Sequence, residues 1–172
     1  WYLPEERQLT TTEQMADEIC AALGGRAAEE LFFNKISTGA LSDLEKITKQ
    51  AYAMVSIYGL SENIGNISYY DSSGQQSAFT KPYSEERAKL IDKEVSQILE
   101  NQYKRAKALL TKYKERVEKL GQALLENEVI FKDDLEKIFG KRKWKSYEEE
   151  KLIKLDQEKK KKPTIVKKKK EK

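Results

Sequence analysis

The stretch that decides the fold reads STGALSDLE, residues 37–45, and it closely follows GGRAAEELFF, residues 24–33. Ser42 stands three residues before Glu45, which is the spacing of a capping box at a helix start. This start places Asp43 in the first helical turn, where free backbone N–H groups and the helix dipole favour an ionised carboxylate. Such a carboxylate suits a hard or borderline metal cation as an oxygen ligand. The alternative is that Asp43 is only a favourable first-turn charge.

Apolar residues recur at helical spacing through most of the chain and predict an all-α helical bundle with one modest core. Residues 1–9 read as a short extended arm, and residues 60–82 read as a loop. The first predicted helix runs from the N-cap hydroxyls of Thr10 to Thr12 through a tightly packed Gly24-Gly25 pair to Phe33, and the alternative is that the glycine pair ends it. The other predicted helices run from about 42 to 58, from Ser84 to a break near Thr111, from about Lys114 to Glu126, and from Leu135 to Phe139.

The core predicted from these stripes has one row of residues on each helix. The predicted inward positions are Met15, Ile19, Ala22 and Leu23, then Leu44, Ile47, Ala51, Met54, Val55 and Tyr58, then Ile91, Val95, Ile98, Leu99, Ala106, Leu109 and Leu110, and finally Val117, Leu120 and Leu124.

Three side chains outside these rows, those of Cys20, Glu29 and Glu30, can be given either a structural or a chemical role. The single Cys20 lies on an apolar helix face and is predicted to be a buried structural thiol, which fits a reducing compartment. Glu29 and Glu30 are interpreted as a solvated face and not as catalytic carboxylates. An ion pair with Arg26 is the structural role considered for them.

Several sequence blocks in the right order resemble the peptidase domain of the FtsH family, the membrane-anchored AAA+ zinc metalloproteases. The resemblance covers roughly residues 1 to 139. The blocks are GGRAAEELFF and STGAxxDL, then QAYAMV at residues 50–55, YGLSENIG at residues 58–65 and YSEE at residues 83–86. Asn34 departs from the family pattern, which commonly has Gly there, and residues 71–81 fit no pattern that we can place.

The resemblance implies a zinc site built from a His-Glu-x-x-His helix and a downstream Asp, and the matching position is Asp43. It further implies a homohexamer whose ATPase domain uses ATP and magnesium, and which degrades damaged or short-lived membrane and cytosolic proteins. The expected location is the inner (cytoplasmic) membrane, with anchoring through upstream segments and the peptidase domain facing the cytoplasm.

The chain contains no histidine. Because a His-Glu-x-x-His site needs two imidazoles and a carboxylate base, this sequence alone cannot build it. We therefore expect a C-terminal fragment of a peptidase domain, inactive by itself, with no catalytic residue of its own and with His-Glu-x-x-His upstream of Trp1. One carboxylate is too few for the four-coordinate geometry that zinc usually adopts.

The positive charge is concentrated at the C-terminal end of the chain. Residues 141–172 hold 15 Lys and Arg against 6 Asp and Glu, a net charge of +9, which leaves −5 on the preceding 140 residues. The predicted organisation is a peptidase part at residues 1–140 and a disordered basic tail at residues 141–172. The alternative function is a non-enzymatic helical module whose tail binds nucleic acid or acidic membrane. The leading interpretation expects no specific nucleic acid.

Overall fold

The computed structural model describes residues 9–70 and 82–141. These residues form six α-helices and one short 3₁₀ helix, and they contain no strand, which confirms the all-α prediction. The helices are α1 (Thr12–Ala22), α2 (Gly24–Phe33), α3 (Leu41–Ser56), α4 (Glu85–Lys112), α5 (Lys114–Asn127) and α6 (Lys132–Phe139), and the 3₁₀ helix is Thr38–Ala40. The predicted arm, except for Leu9, the segment 71–81 and the tail from residue 142 lie outside the described residues.

The described chain forms two compact units, residues 9–118 and residues 119–141, with the boundary inside α5. In the first unit α4 packs against α1, α2 and α3. The core of this unit is a single cluster of apolar side chains from these helices and from the loop after α3. Its buried members are Met15, Ile19, Cys20, Leu23, Ala27, Ile47, Ala51, Met54, Val55, Ile64, Ile91, Val95 and Ala106. Burial of each Ile or Val stabilises the fold by about 1.5–3 kcal/mol.

The helix ends follow local side-chain chemistry. Thr11 caps α1: its hydroxyl accepts from the Gln14 amide at 3.3 Å, and the Gln14 side chain accepts from the Thr11 amide at 2.9 Å. Ser84 caps α4 by accepting from the Arg87 amide at 3.3 Å. Gly59 has φ +63°, a left-handed conformation that ends the α3 region and lets the Leu60 amide bond back to Met54. The predicted caps at Thr11 and Ser84 are confirmed, whereas α3 ends at Ser56, two residues before its predicted end near residue 58.

The predicted continuous helix through Gly24-Gly25 is wrong. Leu23, with ψ −9°, separates α1 from α2, and each glycine costs about 1 kcal/mol in a helix interior, so the pair favours a break. Tight packing at the pair is also wrong, because a Cβ on either glycine would meet nothing within 4 Å.

The last helix begins at Lys132, three residues before the predicted Leu135. The Asp134 carboxylate accepts from the Phe131 amide at 3.3 Å and so caps the earlier start.

Three predicted core positions are exposed. Tyr58 is 59% exposed because α3 already ends at Ser56, so the residue lies in the turn before Gly59. Leu109, in the last turn of α4, is 44% exposed, whereas its neighbour Leu110 packs against the core. Leu124, in α5, is 45% exposed, and none of residues 119–141 is buried. Val117 and Leu120 are half-buried.

Candidate metal-ligand turn and its supports

Asp43 lies in the first turn of α3, as predicted, and its side chain is exposed. The predicted capping box is wrong, because α3 begins at Leu41 and Ser42 is already inside the helix. Ala40 occupies the N-cap position and supplies no side-chain hydrogen bond. The start of α3 is instead held by the turn that precedes it.

That turn is the 3₁₀ helix Thr38–Ala40, and Ser37 is its cap. The Ser37 hydroxyl accepts from the Gly39 amide at 3.2 Å. A Cβ on Gly39 would lie only 3.2 Å from this oxygen, so the contact favours glycine at this position. Leu41 bonds back to Thr38, which joins the turn directly to α3.

Asn34 lies at the start of the segment that links α2 to this turn. It ends α2 in the left-handed conformation, with φ 50° and ψ 33°. Among non-glycine residues, Asn adopts this conformation readily, so the departure from Gly at this position keeps the same backbone.

Glu29 connects α2 to the turn. Its carboxylate accepts two hydrogen bonds from Ser37, one from the hydroxyl at 2.7 Å and one from the backbone amide at 3.1 Å. These bonds, the side-chain one first, lower the pKa of Glu29 below its ordinary value. The carboxylate is therefore ionised at neutral pH and is occupied by Ser37.

Glu30, the next residue, connects α2 to α4. It accepts from the Lys107 ammonium at 2.8 Å and from the Tyr103 hydroxyl. The Lys107 and Tyr103 hydrogen bonds lower the pKa of Glu30, and partial burial together with the bond to Glu30 raises the pKa of Tyr103 to about 12. The two glutamates thus have partners other than the Arg26 ion pair considered from the sequence. The sequence separations of Glu29 from Ser37, and of Glu30 from Tyr103 and Lys107, do not indicate these contacts.

Cys20 is buried, as predicted. Burial raises the pKa of its thiol, although the nearby Arg105 charge acts in the opposite direction. A protonated, buried thiol is a poor nucleophile and a poor metal ligand.

The residues around Asp43 do not form a complete zinc site in the described part of the chain. Within residues 9–70 and 82–141, no three Cys, Asp or Glu side chains converge as a cation site, and Asp43 has no ion pair there. An exposed carboxylate in a first helical turn, with no competing cation, fits the role of a single zinc ligand. The described part of the chain supplies no complete site.

The comparisons with known proteins agree on one family. Residues 1–138 match the sequence profile of Peptidase family M41. The chain is 62% identical over 150 residues to the ATP-dependent zinc metalloprotease FtsH of Parabacteroides distasonis, covering 87% of this chain and 22% of that protein. It is 54% identical over 139 residues to the protein of the same name from Karelsulcia muelleri, with 80% and 22% covered.

A mouse protein, the mitochondrial inner membrane m-AAA protease component AFG3L1, is 46% identical over 141 residues, with 82% of this chain and 18% of that protein covered. The chain therefore spans about a fifth of the length of the curated relatives that it matches. Among the residues that the structure describes, no helix is long and apolar enough to cross a membrane.

Proposed function

The chain belongs to peptidase family M41, and on that premise we propose that it is the C-terminal part of the peptidase domain of an ATP-dependent zinc metalloendopeptidase. The observation that carries the proposal is Asp43, an exposed carboxylate in the first turn of α3. Asp43 would be one zinc ligand, and the other ligands would come from residues that this sequence does not contain, since it has no histidine.

When bound, zinc supplies a polarised water whose pKa falls to about 7, which makes it a nucleophile for peptide hydrolysis at neutral pH. This chain's contribution is the negatively charged ligand and its support. The first turn of α3 places this ligand at the N-terminal end of the helix, where the helix dipole is favourable for a negative charge. The core side chains of α3, Ile47 and Ala51, fix the helix that carries the ligand.

The activity of the whole protein extends this proposal. Relatives whose names include "ATP-dependent" and "mitochondrial inner membrane" support an assembly that uses ATP, acts on protein substrates and is anchored in a membrane. Magnesium would accompany the ATP in the ATPase domain. We propose a homohexamer anchored through upstream segments in the inner (cytoplasmic) membrane, with the peptidase domain facing the cytoplasm, that degrades damaged or short-lived proteins. By itself the present chain would have no peptidase activity.

The test removes the ligand in the full-length protein. Asp43→Ala is expected to reduce casein hydrolysis at least a hundredfold and to lower zinc retention after chelator treatment, while ATP hydrolysis continues. Asp43→Asn is expected to be nearly as harmful, because a neutral amide is a weaker ligand than a carboxylate.

The matched control is Asp133→Ala, which removes an exposed first-turn carboxylate from α6. It should retain zinc and proteolysis. If Asp43→Ala keeps normal zinc content and cleavage, Asp43 is only a first-turn charge and the proposal fails.

A further inference from the structure

Asp43 stands at the least supported end of α3. It is the third residue of the helix, and the first amides of a helix lack partners within it. The first buried side chain of α3 is Ile47, one turn further on, and Leu44 is only half-buried. The position of the first turn therefore depends on the segment that enters it, because helix ends without packing fray.

That segment is tied to the rest of the fold through one carboxylate. The Glu29 carboxylate bonds both the hydroxyl and the amide of Ser37, and the same hydroxyl accepts from the Gly39 amide. The 3₁₀ turn then runs into α3 without a gap. Two oxygens of one carboxylate thus fix the orientation of Ser37 and, through it, the turn.

The base of this arrangement is firmly placed. Ala27 of α2 is buried, and Glu30 binds Lys107 and Tyr103 of α4. Glu29 lies between Ala27 and Glu30 in α2. Its backbone is therefore held against α4, the longest helix of the unit. A contiguous series of contacts leads from α4 through α2 and Ser37 to the turn before Asp43.

We propose that Glu29 is a positioning residue for the metal ligand: it holds the Ser37–Gly39 turn and so fixes the first turn of α3, where Asp43 lies. The inference rests on the proposed function of Asp43. Both oxygens of Glu29 accept hydrogen bonds from Ser37, and this geometry assigns the carboxylate to the turn. Groups that orient a metal ligand typically contribute 10–100-fold to metal affinity.

The first experiment tests the turn without any metal. In Glu29→Gln the amide offers one acceptor oxygen in place of two, so it cannot accept both Ser37 bonds. Amide hydrogen exchange, measured by NMR on the 172-residue chain, should be about tenfold faster at Ser37 and Gly39, with exchange in α1 and α4 unchanged. Ser37→Ala should give the same result at Gly39, because it removes the acceptor of that bond.

The control is Glu18→Gln. This carboxylate accepts from Gln50 of α3 at 2.8 Å but does not contact the turn. Glu18→Gln makes the same carboxylate-to-amide change in a residue that contacts α3. It should leave amide exchange at Ser37 and Gly39 as it is in the unmodified chain. Equal exchange in Glu29→Gln and Glu18→Gln would overturn the inference.

The second experiment measures zinc affinity of the full-length protein by competition with a chelator. Glu29→Gln is expected to weaken zinc binding about 10–100-fold with an unchanged melting temperature of the zinc-free protein. In an Asp43→Asn background, Glu29→Gln should produce no further loss, because a positioning residue acts only through its ligand. An equal loss in both backgrounds would mean that Glu29 acts directly on the metal, and it would overturn the positioning role.

The same zinc measurement distinguishes the role of Glu29 from the role of Asp43. Undiminished zinc affinity in Glu29→Gln, with a clear loss in Asp43→Ala, overturns the inference alone. Undiminished affinity in Asp43→Ala overturns the proposed function and the inference with it.

Discussion

The two units of the molecule, residues 9–118 and residues 119–141, are both helical, and both carry apolar side chains at helical spacing. In the first unit these side chains are buried: Ile19, Val55, Ile47 and Ile91 have between 0% and 1% of their surface exposed. In the second unit no residue is buried, and Leu125, Phe131 and Val129 are 81%, 70% and 56% exposed. Apolar spacing is therefore sufficient to form helices in both units, but it does not determine burial.

The physical reason is that a stripe of apolar residues needs a surface to pack against. In the first unit α4 provides one for α1, α2 and α3. The helices of the second unit are held by local contacts, such as Gln122 with Glu126 at 2.8 Å and Lys137 with Asp134 at 3.0 Å. Exposed pairs of this kind contribute only a few tenths of a kcal/mol each. The following changes test whether stability is really concentrated in the first unit.

The largest effect is expected from the centre of the first unit. Ile91→Ala removes a side chain that is 1% exposed at the point where α4 meets the core. The lost burial and the remaining cavity should lower the free energy of unfolding by about 2–5 kcal/mol. Urea denaturation followed by circular dichroism measures the change. A loss below about 1 kcal/mol would mean that the core is more loosely packed than the structure shows.

A smaller effect, dependent on pH, is expected from the contact between α2 and α4. The pKa of Tyr103 is raised to about 12 in the fold, above its ordinary value of 10.0, so the folded state holds this proton more tightly than the unfolded state. This contribution to stability is complete below pH 10 and is lost as the pH rises from 10 to 12. Thermal melts at pH 8 and pH 11.5 should show a smaller pH-dependent loss for Tyr103→Phe than for the unmodified chain. Equal losses would show that burial and the bond to Glu30 do not raise the pKa of Tyr103 in the fold.

How much of this fold could be predicted from the sequence depends on the range of the interaction. The Thr11 and Ser84 caps are local, so residue type and spacing predict them, and Gly59 limits α3 although the helix ends two residues earlier than predicted. Tyr58 and Leu124 are wrongly predicted to be buried, because periodicity shows neither that α3 ends before Tyr58 nor whether another surface covers Leu124. The Ser42–Glu45 spacing predicts Asp43 in a first turn, which is correct although the capping box itself does not form. The metal-ligand role of Asp43 comes only from the family resemblance.

The supports of Asp43 could not be predicted in the same way. Glu30 meets Tyr103 and Lys107 across more than 70 residues, a pairing that only the packing of α2 on α4 creates. Glu29 meets Ser37 because the chain turns back after Asn34, and a left-handed Asn was not a predicted feature.

The second unit should respond much less to the same kind of truncation. Leu125→Ala removes a large apolar side chain that is 81% exposed, so it should change the free energy of unfolding by less than about 0.5 kcal/mol. Measured beside Ile91→Ala under the same conditions, it gives the contrast between the units directly. A loss of 2 kcal/mol or more would mean that this leucine is covered in solution, and the contrast would fail.

The smallest effect is expected from the segment beyond the second unit. Residues 141–172 carry a net charge of +9, and ordering a residue costs about 1–2 kcal/mol of backbone entropy, which sparse apolar residues such as Trp144 and Leu155 cannot offset. We therefore expect truncation after Gly140 to leave the melting temperature unchanged within error. Limited trypsin digestion should cleave the lysines of this segment first and leave a stable product ending near Phe139. Resistance of the segment to trypsin, or a melting temperature lowered by several degrees on truncation, would show that it packs on the helices, and the boundary at residue 140 would then be wrong.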